Sequence, residues 1–282
     1  LASSTALSGT LARSSLLAVF SFMTIATPIF PAHALPQNGV VVDGSAQIVV
    51  LSPTEMQILQ QSNRVVIDWG SFNIAAGEQV SLLQGNSLAE ALNRITGGGA
   101  TQIFGQLTAD GNLVISNAAG ILFGANAKID VASLIATAAN IKTPDFMAGQ
   151  LKFGDPGNPT ASVINEGIIT AAEGGLVALV APGVANLGII NARLGRVALA
   201  SGNAFTVDFY GDRLIQIAVD DKVIQQATGA DGKQLDSMVS NSGQINAQGG
   251  VVQMTANAAR DLVSSVVNVS GVVQASAASI GA

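Results

Sequence analysis

Four segments share one pattern, Gly-x-(Ile/Leu)-(Thr/Asn)-Ala: GQLTA at 105–109, GIITA at 167–171, GIINA at 188–192 and GQINA at 243–247. GVVQA at 271–275 is a looser fifth copy. The two central copies start 21 residues apart, and Asn165, Asn186 and Asn241 each stand two residues ahead of a repeat glycine. A unit of about 20 residues built from short strands cannot bury its own apolar face, so repetition at this period implies coils stacked around a shared core.

Each full copy is followed by a second strand in register. Aligning residues 174–181, 194–201 and 249–256 puts Val177, Val197 and Val252 at one position and Leu179, Leu199 and Met254 two residues on. The alternate positions hold Leu176, Arg196 and Val251, then Ala178, Ala198 and Gln253. One face is apolar throughout and the other accepts Arg and Gln, the period-two pattern of a strand with one buried face. Asn side chains at equivalent turns can stack as an amide ladder, each bonding the next. A β-sandwich is the competing architecture, but its strands have no reason to share residue identity at matched positions. The reading is therefore all-β and solenoidal. The roughly 250 residues after Ala34 would make about ten coils rising about 50 Å.

The N-terminus reads differently. Arg13 precedes the apolar run Leu16 to Ala26, then come Pro28, Pro31 and Ala32-His33-Ala34. A positive start, a short apolar region and an Ala-x-Ala site describe a secretory signal peptide, expected to be cut after Ala34. The run is shorter than the roughly 20 residues a membrane span needs. Residues 1–34 are thus assigned to the leader and 35–282 to the folded domain.

Within that domain the N-terminal part, residues 35–104, is less regular. Val40–Val42 and Gln47–Leu51 read as strands around a tight Asp43-Gly44 turn. Residues 64–74 (RVVIDWGSFNI) read as two strands with a bend at Gly70, and Gln79–Leu83 as another. Two helical segments are expected: one or two turns within Pro53–Ser62, and Ser87–Ile95, where Ser87 and Glu90 resemble a capping box. On that second helix Arg94 would pair with Glu90, one turn earlier. Gly97–Gly99 would be a flexible joint leading into the regular coils, residues 105–282, and Trp69 a core plug near the cap.

Composition excludes several functions. Charged residues are 11% of the chain and the net charge is -6, so there is no basic surface to meet nucleic-acid phosphates. With no Cys there is neither a disulfide nor a thiolate nucleophile. The single His lies in the leader, so the mature chain has no Ser-His or Cys-His pair and no catalytic residue is assigned. No cofactor or metal site is assigned either. The acidic stretch carrying Asp208, Asp212, Asp220 and Asp221 is compatible with a calcium or carbohydrate contact, and equally with a solvated hairpin loop, the reading adopted. Asp110-Gly111-Asn112 lacks the bracketing ligands of a calcium loop and reads as a turn. Gly97–Gly99 lacks the Lys-Ser/Thr of a phosphate cradle.

Residues 109–116 (ADGNLVIS) and 117–121 (NAAGI), with upstream IDWGSFNIAAGEQV and NRITGGGATQIFGQL, resemble the secretion domain of two-partner secretion exoproteins, the filamentous haemagglutinin family. The family's first hallmark, Asn-Pro-Asn-Leu, is matched by Asn112 and Leu113. Its second, Asn-Pro-Asn-Gly-Ile, is matched by Asn117, Gly120 and Ile121. Gly111 and Ala118 stand where the prolines would be, so both turns are expected to be looser. The resemblance implies a right-handed, single-stranded parallel β-helix with an N-terminal capping segment. It also implies export by the general secretory machinery, followed by recognition of the two hallmark motifs by the periplasmic domains of a cognate outer-membrane barrel transporter. The chain would then fold as a secreted or surface protein of a Gram-negative-type bacterium. Host-surface contact would fall to downstream regions, since the repeat pattern reaches Ala282 without a polar cap and is expected to continue. A free-standing adhesin or structural rod, and a carbohydrate-cleaving β-helix enzyme, are the alternatives.

Overall fold

The computed structural model describes residues 34–207, 217–219, 223–257, 263 and 265–281. All but Ala34 of the expected leader, residues 1–34, and the acidic positions Asp208, Asp212, Asp220 and Asp221 lie outside them. From residue 34 onward the chain is one compact unit. No described helix is long and apolar enough to cross a membrane.

The regular part is a stack of parallel rungs. The long strand Gln106–Asn117 shows how a rung is made. Its first half pairs with Gln79–Leu83 on one side and Lys128–Thr137 on the other. Its second half pairs with Glu90–Ile95 and with the far half of Lys128–Thr137. Both halves continue through Ile168–Ala171 and Leu176–Ala181, Ile189–Asn191 and Arg196–Ser201, then Gln244–Ala256 and Val272–Gly281, in parallel register throughout. A smaller parallel sheet closes the coil, running Thr101–Ile103, Ile121–Phe123, Ser162–Asn165, Gly183–Asn186, Ser237–Asn241, Ser265–Val269. This is a parallel β-helix. Hairpins of a sandwich would pair antiparallel.

The alignment read from the repeats is the register of the ladder. Val177, Val197 and Val252 are successive partners, as are Leu179, Leu199 and Met254. All six are buried in the solenoid interior, each such side chain contributing roughly 1.5–3 kcal/mol of apolar burial. The amide ladder also forms: Asn165 Nδ2 donates to Asn186 Oδ1 at 2.8 Å, and Asn186 Nδ2 to Asn241 Oδ1 at 2.7 Å. The repeat glycines stack directly. A Cβ on Gly188 would fall 2.1 Å from the Gly167 carbonyl oxygen, and one on Gly243 the same distance from that of Gly188. Close approach of backbones, not an unusual φ, selects Gly there.

The N-terminal end is closed by antiparallel strands. Val40–Asp43 lies antiparallel on Arg64–Trp69, and Ala46–Ser52 antiparallel on Glu55–Gln60. This cap precedes eight parallel rungs among the described residues, a rise of about 35 Å at the usual strand spacing. That is fewer than ten, because the cap and two excursions, residues 142–157 and, among the described residues after Ser201, 202–207, 217–219 and 223–236, take chain that the repeat arithmetic assigned to coils. Trp69 is fully buried under the cap, edge-on to Phe72 at 5.4 Å, with its indole N–H on Asn93 Oδ1 at 2.9 Å.

Both expected helices are strands. Glu55–Gln60 alternates half-buried and buried side chains, turning Met56, Ile58 and Gln60 inward. Glu90–Ile95 is hydrogen-bonded along its length to Arg64–Trp69 and to Gln106–Asn117. A helix of nine residues is marginal alone, and two flanking ladders outweigh a capping box. The Arg94–Glu90 pair accordingly does not form. Arg94 bonds Asp68 at 2.7 Å and Glu90 bonds Arg64 at 2.7 Å, each across one rung of parallel register. Gly97–Gly99 therefore links two strands, with Gly97 pressed against the Gly70 carbonyl oxygen.

The outward face of the strands that continue the second half of Gln106–Asn117 is also covered. The one described α-helix, Thr143–Met147, and a three-stranded sheet of Leu151–Phe153, Phe205–Val207 and Ile217–Val219 lie outside the coil. Phe146, Leu151, Phe153, Phe205 and Val207 form a second core with Leu176, Ala178, Val180 and Ala198. The face that carries Arg196 and Gln253 elsewhere is thus apolar where this layer sits.

Candidate recognition turns

The first hallmark motif is a corner inside the strand Gln106–Asn117. Against the next rung, Val131 faces Ala109 and Ser133 faces Asn112, so Asp110 and Gly111 together oppose a single residue. This is a β-bulge, which bends the strand and re-aims the residues after it. The Asp110 carboxylate accepts the N–H groups of Gln84 at 2.5 Å and Gly85 at 3.2 Å from the coil before. The Gly111 N–H donates to Gln84 Oε1 at 2.9 Å, and the Asn112 N–H to the Ala89 carbonyl at 2.8 Å. Leu113 points into the solenoid core, while Asn112 is half-exposed.

The second motif is a tight turn. The Gly120 N–H returns to the Asn117 carbonyl at 2.9 Å, closing a four-residue β-turn. Asn117 Oδ1 accepts the Ala119 N–H at 2.9 Å, and its Nδ2 donates to the Gly99 carbonyl and to Thr101 Oγ1, both at 2.9 Å. Its side chain is 1% exposed. Gly120 has φ +102°, and a Cβ there would fall 2.6 Å from the Ser162 carbonyl oxygen, so the position excludes any side chain. Ile121 is buried in the core. Ala118 is exposed, and its carbonyl accepts the Asn158 N–H at 2.9 Å. An open groove borders this turn, lined by Gln102, Gly120, Leu122, Asn158, Ser162 and Thr228.

The structure thus brings the two motifs onto one coil, one at each end of the strand segment Asn112–Asn117. Both turns are tied by side-chain hydrogen bonds. Of the five matched residues only Asn112 offers side chain to solvent; Leu113, Asn117, Gly120 and Ile121 are buried. Sequence reasoning missed Gln84 and Gln60, the buried amides behind the first corner. Their one signal was placement: each ends an apolar strand just before an Asn/Ser turn, QSN at 61–63 and GNS at 85–87. Among the described residues no group of three or more His, Cys, Asp or Glu is arranged to hold a metal ion.

Residues 32–281 match the family model described as TPS secretion domain. A heme/hemopexin-binding protein of Haemophilus influenzae (strain ATCC 51907 / DSM 11121 / KW20 / Rd) is 33% identical over 210 residues, covering 71% of this chain and 23% of that protein. A second heme/hemopexin-binding protein of Haemophilus influenzae is 38% identical over 116 residues, covering 41% of this chain and 12% of its own length. The chain therefore spans less than a quarter of the curated relatives it matches. The crystal structure of the HMW1 secretion domain from Haemophilus influenzae aligns with a TM-score of 0.66 at 24% identity, over 86% of this chain and 65% of that one, a likeness of fold.

Proposed function

The chain belongs to the family of TPS secretion domains, and from that membership we propose that it is the export address of an exoprotein. In this reading residues 1–34 direct it through the general secretory machinery and are removed after Ala34. The periplasmic domains of its outer-membrane barrel transporter then recognise the segment around Asn112, Leu113, Asn117, Gly120 and Ile121 before the coil has closed. The domain folds at the surface, each rung templating the next.

One observation carries the timing. Four of the five hallmark residues are consumed by the fold, as core (Leu113, Ile121) or as turn (Asn117, Gly120). A partner that reads them meets an extended chain, for which addition of a strand to a sheet edge is the natural mode. The relatives' names, heme/hemopexin-binding protein, favour a cargo that binds heme or its carrier. That role fits the part of such proteins outside the aligned region. Haem iron is held by His, Cys, Met or Tyr; the described residues have neither His nor Cys, and of their methionines Met56, Met238 and Met254 are buried in the solenoid core and Met147 packs against the second one. The free-standing adhesin remains the second reading, favoured by the exposed groove beside Gly120 and tested by binding of the isolated domain to cell surfaces or glycans.

Asn112 is the cleanest probe, because it bonds through its main chain and a side-chain change leaves the corner in place. Co-expression of Asn112→Ala with the transporter should abolish release while the purified variant keeps its β-rich circular dichroism spectrum. Unchanged export of Asn112→Ala and of Asn117→Ala overturns the proposal.

A further inference from the structure

The first recognition corner is held from behind. Gln84 follows the strand Gln79–Leu83 of the preceding coil and is 4% exposed. Its Oε1 takes the Gly111 N–H, and its Nε2 donates to Gln60 Oε1 at 3.0 Å, to the Ala89 carbonyl at 3.3 Å and to the Asn112 carbonyl at 3.4 Å. Gln60, one coil further back, donates in turn to the carbonyls of Ser62 at 2.7 Å and Glu90 at 3.1 Å. Asp110 completes the clasp by accepting the Gln84 and Gly85 N–H groups. Two consecutive corners are thereby locked to each other through a buried amide column.

Proline does not fit this arrangement. It has no N–H, so Gln84 Oε1 would be buried without its donor. A Cβ at position 111 already falls 2.7 Å from the Ala89 carbonyl oxygen and 2.8 Å from Gln84 Cδ and Nε2. We infer that Gln84 is the positioning residue of the first recognition corner, doing from the neighbouring coil what the hallmark proline does from within, and that Gln84 and Gly111 work only as a pair. The inference deepens the export reading and rests on it only for what the corner is for.

The test is read on the purified chain, without a transporter. Gln84→Met keeps the length of the side chain and removes its hydrogen bonds; hydrogen exchange at the Gly111 amide should speed up by about tenfold or more. The amides of Val114 and Ile115 should stay protected. Gly111→Pro should lower the urea midpoint, and should lower it much less in the Gln84→Met background, a coupling that a double-mutant cycle measures. Unchanged Gly111 exchange in Gln84→Met, or strictly additive effects of the two substitutions, overturns the inference. Neither outcome bears on whether Asn112→Ala is exported, so the two ideas fail separately.

Discussion

Asn186 is the middle member of the amide ladder, and the cost of losing it is set by what it leaves behind. Truncation leaves Asn165 Nδ2 with only a long 3.5 Å bond to the Ile189 carbonyl and strips Asn241 Oδ1 of its donor, inside a fully buried column. We expect Asn186→Ala to cost about 2–4 kcal/mol, since each orphaned buried group carries most of its desolvation penalty; equilibrium urea unfolding measures it, and a loss below about 1 kcal/mol would show that the ladder is ornamental. Glycines divide by the same kind of local reasoning. Gly188→Ala drives a methyl into the Gly167 backbone, which cannot yield without separating two rungs, and should cost about 3 kcal/mol. Gly98→Ala meets nothing within 4 Å and should be close to neutral. Equal thermal shifts for these two variants would contradict the stacked-glycine account.

At the scale of elements, neighbours decided what local propensity did not. Ser87–Ile95 has a helical cap and charge spacing, yet residues 90–95 are claimed by ladders on both sides. The charges intended for one helical face instead make lateral pairs, Arg64–Glu90 and Asp68–Arg94, partly exposed and worth about 0.5–1 kcal/mol each. Arg94 also reaches the Ile141 carbonyl and Thr143 Oγ1, fastening the start of the outer layer to the coil. That layer hangs on aromatics: Phe153 and Phe205 stack at 4.4 Å with 4° between their planes. Phe205→Ala should cost about 3–5 kcal/mol. The loss should fall on the layer, with faster hydrogen exchange in Leu151–Phe153 and unchanged protection at Val177 and Leu179. Uniform loss of protection would mean that layer and solenoid form one cooperative unit.

For the molecule as a whole, stability is a sum over rungs and their interfaces. Interior rungs such as Lys128–Thr137 and Leu176–Ala181 have partners on both sides and mostly buried side chains. The last described rung pairs on one side only among the described residues, and its Val269, Val272 and Ile280 are exposed. Native-state hydrogen exchange should therefore show a gradient, with protection greatest in the central rungs and least in Ser265–Val269 and Val272–Gly281. A flat profile would make the domain a single two-state body and weaken the case for rung-by-rung folding on the outer side of a membrane.

The repeat by itself determined the solenoid, the register of its core and the Asn ladder, because a coil that must present the same contacts to two identical neighbours writes its periodicity into the chain. It also carried the family, through motifs whose side chains the fold consumes. Tertiary structure alone decided the rest. Whether residues 55–60 and 90–95 would be helix or strand depended on hydrogen-bond partners distant in sequence. The second core outside the coil depended on where two excursions land. How a corner without proline holds its shape depended on Gln84, which sits 27 residues before Gly111. Its role exists only because successive coils bring the two together at one strand spacing.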